Sequence, residues 1–80
     1  MIKLTWQANK DIQQLGTQIR KKLKNILQEV IAQDPYEGKK LVNEFSGSYS
    51  YPISFNERIV YSVDVARRIV YVEGIGVWRA

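Results

Sequence analysis

The sequence contains no cysteine and no histidine. The first absence removes disulfides, a cysteine nucleophile and the usual Cys/His zinc sites. The second removes a paired-histidine ribonuclease centre and a Ser-His-Asp triad. Chemistry must come from carboxylates, Lys, Arg, Tyr, Ser/Thr or a borrowed group. Long hydrophobic runs are also lacking. None approaches the ~20 residues of a membrane span, and the opening segment alternates where a secretion signal would be continuously apolar. The expectation is a soluble domain of the cytoplasm, with no membrane partner. Eighty residues make one domain, 1–80.

What is present is an ordinary globular mixture, 45% hydrophobic and 25% charged, so a packed core is expected. Net charge is +4, and its distribution says more than its size. Residues 17–40 carry a net +3, residues 1–16 a net +1, and residues 41–80 are neutral. Clustered positive charge suits phosphate binding, which works by displacing counterions. A solvated, solubilising helix face accounts for the same charge equally well.

Hydrophobic periodicity sets out the elements. Ile2, Leu4 and Trp6 alternate with Lys3, Thr5 and Gln7, as in a half-buried strand. Asn9 is placed to cap a short helix carrying Ile12 and Leu15, with Gly16 ending it and Thr17 capping the next. From Thr17 to Gln33, Ile19, Leu23, Ile26, Leu27, Val30 and Ile31 form one apolar stripe. Arg20, Lys21 and Lys24 adjoin it on one flank and Lys22 on the other. Asp34-Pro35 stops this helix, because proline pushes the preceding residue out of the α region. Residues 35–48 then read as a long loop. Three strands follow: Tyr49–Phe55, placed at an edge or bulged by Pro52; Arg58–Val65, with Ile59, Tyr61, Val63 and Val65 on one face; and Ile69–Trp78. The order β-α-α-β-β-β predicts an α+β domain, two N-terminal helices on a mainly antiparallel four-stranded sheet.

Two glycine motifs are discarded. Gly74-Ile75-Gly76 has no third glycine and opens no helix, and Gly38-Lys39-Lys40 lacks the rest of a phosphate loop. A strand arginine remains, Arg58, with Tyr51 and Arg79 as prospective neighbours. A guanidinium grips phosphate bidentately, and a tyrosine on a sheet can stack on a base. An ion pair with Glu57 or Glu44 explains a strand arginine just as simply.

Taken together, several segments resemble the RelE/ParE toxin superfamily: Asp34-Pro35-Tyr36-Glu37-Gly38-Lys39-Lys40-Leu41, Phe45-Ser46-Gly47, Tyr49, Ile53, Arg58-Ile59-Val60-Tyr61-Ser62-Val63 and Ile69-Val70-Tyr71-Val72. The opening Lys3-Leu4-Thr5-Trp6 and the Pro35–Lys39 loop are most similar to the YoeB branch. The resemblance implies the toxin of a type II toxin–antitoxin module and a cognate antitoxin as partner. For the RelE and YoeB branches it implies cleavage of mRNA on the ribosome, without metal or cofactor, by attack of the RNA's own 2′-hydroxyl. For the ParE branch it implies inhibition of DNA gyrase instead, and a degenerate homologue would only bind its antitoxin.

Carried over residue by residue, Arg58 falls on the family's strand arginine at the scissile phosphate. Lys39 and Lys40 fall on its basic loop, and Lys21 and Lys24 on its basic helix. Tyr61 matches a family tyrosine, although its alternation assigns it to the core. The catalytic set implied is Arg58, Arg79 and Glu44; the RNA-binding set is Lys21, Lys24, Lys39, Lys40 and Tyr51. Pro52 and Ser54 stand where RelE-like chains place basic residues, Glu44 is the nearest glutamate to the YoeB general base, and the family's acid has no equivalent here.

Overall fold

The chain opens with a short strand, β1 (Ile2–Leu4), and turns directly into α1 (Trp6–Gln13). Thr5 makes that turn. Its Oγ1 accepts the Ala8 N–H at 3.1 Å and donates to the Glu73 carbonyl at 3.0 Å. Thr5 is therefore the cap expected of Asn9, and α1 begins four residues earlier than that reading. Trp6, which alternates with Ile2 and Leu4 in the sequence, belongs to the helix. It is exposed, with Lys10 Nζ 5.1 Å from its ring centroid one turn on.

The next helix, α2 (Thr17–Ile26), is capped by extended backbone at Gly16 with no side-chain bond, so Thr17 lies inside it. The helix then widens. In the π turn Leu27–Ile31 the Ala32 N–H reaches back five residues to the Leu27 carbonyl, at 2.9 Å. The extra residue rotates the end of the helix, and Ile31 becomes fully buried while Val30 is only half-buried.

The computed structural model describes residues 1–41 and 47–77. Within them β2 (Lys39–Lys40), β3 (Ser48–Pro52), β4 (Glu57–Asp64) and β5 (Ile69–Val77) complete a five-stranded sheet ordered β1-β5-β4-β3-β2. The α+β class and the two helices are as expected, but the strand count of four is not. Lys39 and Lys40, assigned to a loop, pair antiparallel with Ser50 and Tyr49. Two consecutive lysines carry no alternation to reveal a strand. Among the described strands, only β1 and β5 run parallel.

The start of the long connection is built on Tyr61. This tyrosine is fully buried on β4. Its hydroxyl donates to the Pro35 carbonyl at 2.8 Å and accepts the Gly38 N–H at 3.0 Å. A Cβ at Gly38 would run into that hydroxyl and the Ser50 carbonyl, so only glycine lets the backbone approach so closely. The Tyr49 ring stacks on Tyr61 at 5.6 Å, and Tyr36 meets Tyr49 edge-on at 5.8 Å. Burial pushes the Tyr61 hydroxyl above its ordinary pKa, with Tyr49, Asp34 and Glu37 acting in the same direction and the Gly38 N–H opposing.

The core lies between the helices and one face of the sheet. Ala8, Leu23, Ile26 and Ile31 meet Ile59, Tyr61, Val70 and Val72, with Ile53 closing one end. Among the described residues no helix is long and apolar enough to cross a membrane.

Candidate functional site

Strand register assigns each side chain to a face, because directly paired residues share one. Ile59, Tyr61 and Val63 face the helices, paired with Ile75, Val72 and Val70. Arg58, Val60, Ser62 and Asp64 face the other way, and no helix among the described residues covers them.

A bulge in β5 decides what surrounds Arg58. Val60 pairs with Gly74 and Tyr61 with Val72, so Glu73 is the extra residue. Beyond it the alternation of β5 reverses. Ile75 enters the helix-facing side opposite Ile59, and Gly76 comes opposite Arg58. Without the bulge a one-residue slip would place Ile75 beside the arginine. Asp11 of α1 secures the shifted register, since its Oδ2 accepts the Ile75 N–H at 3.0 Å. Gln7 Nε2 steadies the same carboxylate at Oδ1, 2.8 Å away.

Arg58 thus stands on the helix-free face between Pro52 of β3 and Gly76 of β5. Neither neighbour has a long side chain to lay across it. Arg58 itself is half-buried, with Nε withdrawn from solvent. The same face carries Lys3, paired with Tyr71, and Lys39, paired with Ser50. It also holds Glu73, whose carboxylate accepts the Ser48 hydroxyl at 2.8 Å.

The remaining sequence-derived residues are dispersed. Tyr51 pairs with Ile59, so it lies on the helix side, packed against the core, and not beside Arg58. Ile59 and Tyr51 are each one residue from the Arg58–Pro52 pair, which made them neighbours in sequence but placed them on the opposite face. Lys40 pairs with Tyr49 and lies on that helix side as well. Lys21 and Lys24 are exposed on α2, and Lys24 with Arg20 rims a groove floored by Ile2, Leu4, Ile12, Leu23 and Leu27. The helix lysines and Arg58 therefore occupy opposite sides of the sheet. Glu57 accepts a hydrogen bond from the Ser54 hydroxyl. Glu44 and Arg79 lie outside the described residues. Two residues escaped the sequence reading, Asp11 and Glu73. A glycine-flanked break in the last strand, Glu73-Gly74-Ile75-Gly76, was the available signal, since an isolated strand glycine often marks a bulge.

The sequence matches no protein-family model and no curated protein. Solved structures do resemble it along its whole length. The toxin–antitoxin complex RelBE2 of Mycobacterium tuberculosis superposes with a TM-score of 0.87 at 20% identity, covering 98% of this chain and 96% of that one. The intact Escherichia coli RelBE complex gives 0.82 at 23% identity, covering 100% and 98%. The isolated E. coli RelE toxin gives 0.83 at 27% identity, covering 100% and 85%. The chain has the fold of these RelE toxins.

Proposed function

We propose that this chain is the toxin of a type II toxin–antitoxin pair and that it cleaves mRNA on the ribosome. The observation that carries the reading is Arg58, held on the helix-free face of a RelE-like sheet between Pro52 and Gly76. A guanidinium on that face is placed to grip a phosphate bidentately. It stabilises the charge that builds on a phosphorane when the RNA's 2′-hydroxyl attacks. The ribosome supplies the alignment of hydroxyl and phosphate, a contribution that can equal many kcal/mol of barrier lowering. Lys39 lies on the same face, two strand spacings, or about 10 Å, from β4, within range of the flanking backbone. Lys21, Lys24 and Lys40 serve the wider contact with ribosomal RNA.

A cognate antitoxin is part of the proposal. The RelBE2 and RelBE neighbours are toxin–antitoxin complexes. The groove between α1, α2 and β1 combines an apolar floor with Arg20 and Lys24 at its rim, a surface suited to an amphipathic, acidic segment.

The test is cleavage of a short mRNA on programmed ribosomes, with product ends mapped. Wild-type protein is expected to cut within the ribosomal A site, and Arg58→Ala to lower the single-turnover rate by about 10²–10³-fold. Intact transcripts with wild-type protein would sink the nuclease reading. Inhibition of gyrase supercoiling, or toxicity unchanged in Arg58→Ala, would count against it equally.

A further inference from the structure

We propose that Gly76 seats the RNA backbone beside Arg58, a positioning role that rests on the nuclease reading of that arginine. A glycine inside a strand gives up side-chain packing and conformational entropy. It is kept there for a positive φ, a bulge, a sharp bend, or the close approach of another backbone or a ligand. Within the described chain Gly76 meets none of the structural needs. Its φ is not in the left-handed region, unlike that of Gly47. Its pairing with Arg58 lies in an unbroken ladder, between Glu57–Val77 and Ile59–Ile75 and beyond the bulge at Glu73. Among the described residues, a Cβ at Gly76 would meet only Val60 Cγ2, at 3.8 Å, an ordinary van der Waals contact. Gly74 is different, since a Cβ there would come within 3.0 Å of Asp11 Oδ2, the carboxylate that clamps the Ile75 N–H. Approach of a ligand is the need that remains for Gly76.

The Val60 contact also gives the direction. Val60 and Arg58 are two residues apart on β4 and share a face, so a side chain at position 76 would stand on the helix-free face, directly beside Arg58. Gly76 and Arg58 are both half-buried, so solvent reaches the pair. Arg58 Nε is withdrawn from solvent, which leaves the grip on a phosphate to Nη1 and Nη2. Neighbouring strands are about 4.8 Å apart. A branched side chain at position 76 would therefore stand in the approach to the guanidinium, whereas bare backbone lets a ligand lie one strand spacing from it. The ligand this fits is an extended ribose-phosphate chain, with its phosphate on Arg58 and the adjoining ribose against Gly76. The bulge and its Asp11 clamp bring this about, because alternation carried straight through Glu73 would set Ile75 in that place.

The experiment measures single-turnover cleavage of mRNA on programmed ribosomes over a range of toxin concentrations, with thermal melting recorded for each protein. The proteins are wild type, Gly76→Ala, Gly76→Val, Arg58→Ala and the double variant Arg58→Ala with Gly76→Val. No described atom crowds position 76, and strands favour β-branched residues, so both Gly76 variants should melt at or above the wild-type temperature. Cleavage at saturating toxin should nevertheless fall with side-chain size, about 10-fold for alanine and about 10²-fold for valine, because a misplacement of ~1 Å at the reacting atoms costs that much. The half-saturating concentration should stay within about twofold, since the wider ribosomal contact is untouched. In the Arg58→Ala background, Gly76→Val should cost little more, because both residues act on one phosphate. Gly76→Val cutting at near wild-type rate, or losing as much without Arg58 as with it, overturns the role of Gly76 and leaves that of Arg58 standing. A lowered melting temperature in Gly76→Ala does the same, since it gives the glycine a folding role. Failure of wild type to cut overturns both.

Discussion

Tyr61 shows how much one hydroxyl can organise. It holds both Pro35 and Gly38, and its ring supports Tyr49. Tyr61→Phe keeps the ring and strands a part-buried N–H and carbonyl, which should cost about 1–3 kcal/mol in urea unfolding. The pH dependence has a definite sign. The folded-state pKa is raised, so the unfolded chain ionises first. The stability that Tyr61 contributes is complete below the ordinary tyrosine value of about 10 and is lost as pH rises beyond it. The gap between wild type and Tyr61→Phe should accordingly be flat below pH ~10 and narrow above it. Sequence alternation was enough to assign Tyr61 to the core. Its role as anchor of the following connection was not legible, because nothing in the pattern says what a buried hydroxyl will meet.

Among the secondary-structure elements, β5 departs furthest from its sequence pattern. Residues Ile69–Trp78 read as one strand, and Ile69–Val77 form one. A period of two carried through Glu73, however, assigns Ile75 and Gly76 to the wrong faces. The reversal depends on a contact 64 residues away, Asp11 to the Ile75 N–H. Asp11→Ala should cost about 1–3 kcal/mol and speed amide exchange at Ile75, while Asp11→Asn should retain most of the protection through its side-chain carbonyl. If exchange at Ile75 is the same in Asp11→Ala as in wild type, the clamp is not what holds the register. The helices illustrate a related limit. The stripe from Ile19 to Ile31 was legible, but not the π turn that brings Ile31 fully inside, since one added residue leaves the apolar spacing nearly unchanged.

At the scale of the whole molecule, the domain has the basic residues of α2 and its strand arginine on different sides of the sheet. Composition located the excess charge in residues 17–40, but only the packing shows that α2 and Arg58 lie across the sheet from one another. Under the proposed function, an RNA partner contacts the protein on more than one surface, as a ribosomal cleft would. Substituting Lys21 and Lys24 together by Gln should weaken ribosome binding and reduce the slope of log affinity against log salt by about 0.7 for each phosphate no longer neutralised. Cleavage at saturating protein should stay near the wild-type rate. A slope unchanged by the double substitution would remove α2 from the interface. The family resemblance and the α+β class were readable because hydrophobic spacing and the Asp34–Leu41 and Arg58–Val63 segments are local features of the chain. The arrangement of the face around Arg58 was not, because register is a property of strand pairs.

The parallel pairing of β1 with β5 also has a consequence for biosynthesis. Thr5 and Glu73, bonded in the folded protein, are 68 residues apart in the chain. On the ribosome that makes it, the N-terminal strand emerges long before its partner exists, and such distant pairings form late. The sheet that presents Arg58 is therefore assembled only after nearly all of the described chain has been translated. Under the proposed function, a nascent copy has no complete nuclease face to turn against its own messenger.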